Sequence, residues 1–168
     1  MSVISSIKRS KIMAAIHSKD TKPEMIVRKW LWKRGFRYRL NAPRLPGHPD
    51  LVLKKYRTCI FVNGCFWHGH ENCNQFRKPK TNIDFWENKI KRNQQRDKDE
   101  IHKLSTMGWH TITVWECELR PKTLEKTLTS LAYTLNHIFI LDYSKENYEA
   151  KEEKMLVAAE EREKYGIK

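Results

Sequence analysis

Cys65-Phe66-Trp67-His68-Gly69-His70-Glu71-Asn72-Cys73 places two cysteines and two histidines within nine residues. Such a stretch has little apolar material of its own to bury, and its donors suit a tetrahedral Zn²⁺ held for structural purposes. Cys65, His70 and Cys73 are the best-spaced ligands. The fourth has to come from far along the chain, and Cys117 is the available thiol. Closing the tetrahedron with it would tie this loop to a distant strand and hold residues 63 to 80 rigid. The competing reading makes the cysteines buried small hydrophobes and the histidines surface groups. Cys59 lies inside an apolar run, where plain burial is expected. Disulfides are not needed in a chain of 168 residues that is 39% hydrophobic and can build its own core in a reducing compartment.

Charge narrows the partner. The chain carries 33 Lys plus Arg against 20 Asp plus Glu, a net +13. Residues 1–57 alone hold 15 basic and 3 acidic residues, nearly the whole surplus, while the stretch after 141 holds 6 basic and 8 acidic. A basic body of this kind argues against an enzyme of small anionic metabolites and for a polyanion, although a charge run can also be a solvated face. No stretch is apolar enough to span a membrane and no secretory signal opens the chain, so a soluble intracellular protein is expected, without a membrane partner.

The coarse element pattern is αα-βββ-α-β-α. Ser6 to Ser18 reads as a short basic helix with Met13 and Ile16 on its small apolar face. Thr21-Lys22-Pro23-Glu24 offers a capping hydroxyl, a proline in the first turn and an acid three residues on, announcing a helix to about Arg34. Phe36 to Leu40, Asp50 to Leu53 and Thr58 to Val62 read as strands of a meander. Asp84 to Met107 has a helical phase in Trp86, Ile90, Ile101 and Leu104, closed by Gly108. Trp109 to Trp115 is a further strand, and Pro121 to His137 a covering helix. Lys145 to Lys164 reads as a charged helical or frayed tail, so the domain is expected over 1–141 with an appendage over 142–168. The fold class is α/β, a mixed sheet flanked by helices.

Two acids have chemical promise. Asp50 ends the turn Pro46-Gly47-His48-Pro49 immediately before an apolar strand, where a carboxylate can bind a hard cation; an ordinary turn aspartate is the alternative. Asp97 falls on the apolar phase of its helix and should face inward, where it needs a partner. His68, not required by zinc, could be that partner and be oriented to take a proton from water, and a salt bridge with Arg96 or a sheet residue is the competing reading. Phe66, Trp67 and Trp86 flank this chemistry and suit base stacking or intercalation, with core packing as the other use.

Leu45-Pro46-Gly47-His48-Pro49-Asp50, Phe61-Val62-Asn63-Gly64-Cys65-Phe66-Trp67-His68-Gly69-His70, Phe85-Trp86 and Val114-Trp115-Glu116-Cys117 closely resemble the very-short-patch-repair (Vsr) DNA mismatch endonucleases. With Arg9-Ser10-Lys11 and Asp20-Thr21, the likeness spans roughly residues 6 to 137. It implies a zinc-stapled, restriction-endonuclease-like fold that nicks double-stranded DNA beside a T·G mismatch using Mg²⁺. It further implies that Asp50, helped by the Val62 carbonyl, holds the magnesium, that Glu24 holds a metal-bound water, and that His68 supported by Asp97 activates the attacking water. Phe66, Trp67 and Trp86 would insert beside the mismatch, and the segment with Arg9, Lys11, Met13 and Ile16 would approach from the opposite groove. A functional link to a cytosine-5 methyltransferase and mismatch-repair proteins, a monomeric state and a place at the prokaryotic nucleoid in the cytoplasm come with the same resemblance. Asn63 departs from those members that carry histidine there: it can hydrogen-bond a phosphate but cannot donate an imidazolium proton. Two rivals stay open, a restriction-type nuclease cutting matched DNA and a zinc-stapled binding module without catalysis.

Overall fold

The computed structural model describes residues 19–40 and 42–165, with side chains described as far as Val157. The expected basic helix carrying Arg9, Lys11, Met13 and Ile16 lies outside the described residues. Helix α1, Lys22–Lys33, starts as its sequence dictates. The Glu24 N–H donates to the Thr21 hydroxyl at 3.4 Å, while the Glu24 carboxylate accepts from the Thr21 hydroxyl at 2.8 Å and the Asp20 N–H at 3.1 Å. Donors that a helix start leaves orphaned are thereby satisfied.

The sheet has the order β1-β2-β3-β4, with β1 Arg39–Leu40, β2 Leu51–Leu53, β3 Thr58–Asn63 and β4 His110–Trp115. β1 to β3 are the expected meander, antiparallel with Leu51 opposite Ile60. β4 joins β3 in parallel, with Asn63 opposite Trp115, after a crossover through helix α2, Ile83–Thr106. The first strand is shorter than predicted because Phe36 leaves the ladder to pack its ring on Tyr56 in the buried core.

Period-two alternation divides the sheet between two cores. Leu51, Leu53, Ile60 and Val114 face α1 and helix α3, Leu124–Tyr165, meeting Val27, Leu31, Leu128 and Leu135. Val52 and Cys59 face the other way, onto Leu104 of α2 and the rings of Phe61 and Trp109. The molecule is thus a mixed sheet between helical layers. Gly108, at φ +75°, turns α2 into β4; the following N–H of Trp109 reaches back to the Leu104 carbonyl at 2.9 Å, and a Cβ at 108 would stand 2.6 Å from the Arg57 guanidinium.

One difference is large. The covering helix and the charged tail, separate in the sequence reading, run as the single helix α3. No glycine or proline falls within 124–165, and Asp142 anchors the junction by meeting His110 at the start of β4 at 3.1 Å. Beyond it Tyr148, Met155 and Leu156 are exposed. No described helix is long and apolar enough to cross a membrane.

Candidate active site and metal centre

The ends of β2 and β3, the start of α1 and the middle of α2 enclose a cleft of about 720 Å³. Asp50, His68, Asp97, Glu24, Val62, Asn63 and Trp67 all line it. The turn before β2 sets Asp50 in place. Gly47, at φ +73°, packs so closely that a Cβ there would lie 2.8 Å from the Glu100 carboxylate and 3.1 Å from the Phe61 ring, and Pro49 is fully buried. Asp50 Oδ2 accepts the Val62 N–H at 2.7 Å, tying the start of β2 to the end of β3. Burial pushes the Asp50 carboxyl up to about 6; the nearby Glu24 carboxylate adds to this, while the Val62 bond and the charges of Arg28 and His68 oppose it. A cation beside Asp50 would restore its charged form.

Helix α2 holds the loop after β3 by three consecutive inward positions. Asn93 donates to the Trp67 carbonyl at 2.9 Å, Gln94 donates to the Gly69 carbonyl at 3.0 Å, and Asp97 Oδ2 meets His68 Nδ1 at 2.5 Å. These positions share the stripe of Ile90 and Leu104, so the polar residues on an apolar phase serve the loop rather than the core. The carboxylate fixes the proton on Nδ1 and leaves Nε2 free to accept one. Arg96 reaches the other Asp97 oxygen at 3.4 Å, so the two candidate partners share Asp97.

Glu24 is almost wholly buried, and besides its capping bonds it receives the Arg28 guanidinium at 3.2 Å. Arg28 also pairs with Asp20. Glu24 therefore performs the cap that its sequence announces while lining the cleft. Three cleft carboxylates or cations were not singled out as such by sequence: Glu100, Glu116 and, as a wall of the cleft, Arg96. The spacing from Asp97 to Glu100 on one helical face was the available signal for the first.

Phe66, Trp67 and Trp86 are half-buried and pack on one another, with ring centroids 5.1, 5.2 and 6.0 Å apart. Phe85, more than half exposed, adds an edge contact to Trp86 at 5.3 Å. None of these rings belongs to either core cluster. They form an aromatic ledge that reaches the cleft through Trp67, with the Lys89 ammonium 5.6 Å from both indoles.

The knot closes with the thiol of Cys117, in the short 3-10 turn just past β4. The ligand atoms of Cys65, His70, Cys73 and Cys117 lie within 4.8 Å of one another, and His70 Nδ1 is 3.6 Å from Cys65 Sγ and 3.4 Å from Cys117 Sγ. Those separations match the edge of about 3.6 Å that a tetrahedron with metal–sulfur and metal–nitrogen bonds of about 2.3 and 2.05 Å would have. Burial pushes Cys65 up, with Cys117 opposing and Cys73 adding to it, and burial together with both neighbouring thiols pushes Cys117 up to about 12. A bound dication would relieve that crowding. The His70 ring is stacked on Trp115 at 3.9 Å, fixing its orientation. Cys59 is fully buried in β3, as its apolar surroundings imply.

A half-buried carboxylate at the start of β2 and a carboxylate-held imidazole across the cleft, in a strongly basic α/β protein, are what a phosphodiester-cleaving nuclease requires. A profile of the family described as DNA mismatch endonuclease Vsr matches residues 1–75. The chain is 50% identical over 122 residues to a type II nicking enzyme of Neisseria meningitidis, covering 73% of this chain and 86% of that protein. It is 42% identical over 123 residues to the DNA mismatch endonuclease Vsr of Escherichia coli, covering 72% and 78%, and 42% identical over 116 residues to a type II nicking enzyme of Xanthomonas oryzae, covering 69% and 85%. The chain belongs to the Vsr family of DNA mismatch endonucleases. Its fold is accordingly restriction-endonuclease-like and its substrate DNA, and the family implies a divalent ion.

Proposed function

We propose that this endonuclease nicks one strand of duplex DNA beside a T·G mismatch, as left by deamination of 5-methylcytosine, with Mg²⁺ in the cleft. The observation that carries the reading is the convergence of Asp50 with the His68–Asp97 pair in one cleft, beside an aromatic ledge. The oxygen donors suit a hard cation: the half-buried Asp50 carboxylate, the carbonyl of Val62, the residue whose N–H Asp50 accepts, and the buried Glu24. Magnesium, when bound there, supplies charge stabilisation at the phosphorus and the leaving oxygen.

The chain's own groups do the rest. His68 Nε2 takes the proton of the attacking water, and Asp97 holds Nδ1 and offsets the imidazolium charge. Asn63, at the end of β3, hydrogen-bonds a phosphate oxygen or a coordinated water without acting as an acid. Phe66, Trp67 and Trp86 enter the stack from one groove while Met13 and Ile16 approach from the other, with Arg9 and Lys11 on phosphates. Unstacking costs less at a wobble pair than at a matched one, so insertion itself discriminates. Cys65, His70, Cys73 and Cys117 hold Zn²⁺, which fixes the loop carrying His68 and the ledge. Residues 1–141 form the nuclease and 142–168 an appended charged segment. The enzyme acts as a monomer on an asymmetric site, at nucleoid DNA in the prokaryotic cytoplasm, downstream of a cytosine-5 methyltransferase and in concert with mismatch-repair proteins. The names of the relatives as nicking enzymes support cleavage of a single strand.

Duplexes differing only in one T·G pair, incubated with and without Mg²⁺, test the reading. Nicking confined to the mismatched duplex and to the magnesium lanes is expected. Equal cutting of matched DNA, a double-strand break, or full activity without the ion would overturn it.

A further inference from the structure

The charge inside the cleft is opposite to that of the body. Five carboxylates line it, those of Glu24, Asp50, Asp97, Glu100 and Glu116. Among the described residues Arg96 is the one lysine or arginine on its wall, because Arg28 beneath is almost wholly buried and occupied by Asp20 and Glu24. The strand β3 that leads into the cleft carries no lysine. A phosphodiester entering here meets a strongly repulsive field, and even a divalent ion leaves oxygens of the anion facing carboxylates.

Arg96 is placed to answer this. Its side chain is 57% exposed and lies between Asp97, at 3.4 Å, and Glu100, at 3.7 Å. Both contacts are at the long end of ion-pair geometry, and exposed pairs of this kind are worth little. The guanidinium can leave them for a phosphate oxygen at small cost, gaining a fork-shaped, charge-assisted contact that lysine cannot reproduce. It also stands one residue from Asp97, so a group gripping phosphate is carried on the same turn of α2 that orients His68.

We propose that Arg96 is a catalytic residue that clamps a non-bridging phosphate oxygen of the cut strand, at or next to the linkage that is cleaved. The inference rests on the nicking reading above. Its test uses the full chain loaded with zinc, a duplex with one T·G mismatch, Mg²⁺ and single-turnover conditions. Arg96→Ala is expected to slow nicking on the order of 10²-fold, the usual effect of removing one charge-stabilising donor. Arg96→Lys should recover part of the rate and Arg96→Gln none. Phosphates flanking the nick are then replaced one at a time by neutral methylphosphonate. Wild-type protein should lose rate at each contacted phosphate, and Arg96→Ala should lose no further rate at one of them, the non-additivity that marks a direct contact. Nicking by Arg96→Ala within about threefold of wild type, or equal sensitivity of both proteins at every phosphate, would refute the clamp. Absence of nicking by the wild type would instead refute the function on which it rests.

Discussion

Replacing Asp50 by asparagine should destroy activity and make the protein more stable. In the absence of magnesium the folded protein raises the Asp50 carboxyl from 3.8 to about 6, mainly by burial. Folding therefore favours the protonated form, and above pH 6 the native state bears the cost of an ionised, partly desolvated group. Roughly two pKa units at 1.36 kcal/mol each put that cost at about 3 kcal/mol. Asparagine keeps the shape and can still accept the Val62 N–H through its carbonyl oxygen, but it has no charge to desolvate. The folded state binds more protons than the unfolded one between the two pKa values, so wild-type stability falls as pH rises through that window. The advantage of Asp50→Asn should be about 3 kcal/mol at pH 8, about half that at pH 5, and absent below both pKa values. Urea unfolding of the zinc-loaded proteins in magnesium-free buffer without chelator measures it. Added Mg²⁺ should then stabilise the wild type and leave the variant unchanged. A variant no more stable than wild type at pH 8, or a gap that does not shrink at pH 5, would show that burial does not hold Asp50 in tension.

Four further outcomes follow from other parts of the molecule. Asp97→Asn should slow nicking on the order of 10² to 10⁴-fold with DNA affinity nearly unchanged, since it removes the carboxylate at His68 Nδ1; comparing single-turnover rate with binding separates the two. Cys117→Ala should lower the zinc stoichiometry by atomic absorption and expose the 64–80 loop to protease, because it opens the tie between β4 and the knot. Trp67→Ala should reduce the preference for mismatched over matched duplex in competition binding more than it reduces overall affinity, by removing one ring of the ledge. Gly108→Ala should cost on the order of 1 to 3 kcal/mol in urea unfolding, from the positive φ and the clash with Arg57.

Much of the site was legible because it rests on local rules. The cap at Thr21 and Glu24, the meander, and the inward phase of Asp97 each follow from spacing within one element, and the structure has all three. The knot was visible as three ligands, but the arrival of Cys117 depends on the parallel pairing of β3 with β4, which places Asn63 opposite Trp115 two residues before it. No pattern inside the knot encodes that pairing. Continuity of α3 was hidden because its apolar stripe thins past Leu141, while the helix persists on propensity and on the Asp142–His110 contact with the sheet. Glu116 and the cleft position of Arg96 were hidden because nothing local distinguishes a cleft wall from a solvated face, whereas Glu100 shares the helical face of Asp97.

The two fields of the molecule, positive overall and negative at the cleft, set an order of events. A net charge of +13, concentrated in the first third of the chain, draws DNA from a distance and releases counterions wherever phosphates are neutralised. Five cleft carboxylates, Asp50 among them, act only at short range and resist the same phosphates until cations accumulate there. Duplex binding should therefore weaken steeply with monovalent salt whether or not magnesium is present, while the rate of nicking by bound enzyme should depend on magnesium and much less on salt. The separation has a structural reason. Attraction is spread over many exposed side chains, whereas entry to the cleft turns on a few groups fixed by the Asp50 turn, the Asp97 face of α2 and the loop that the cysteines hold.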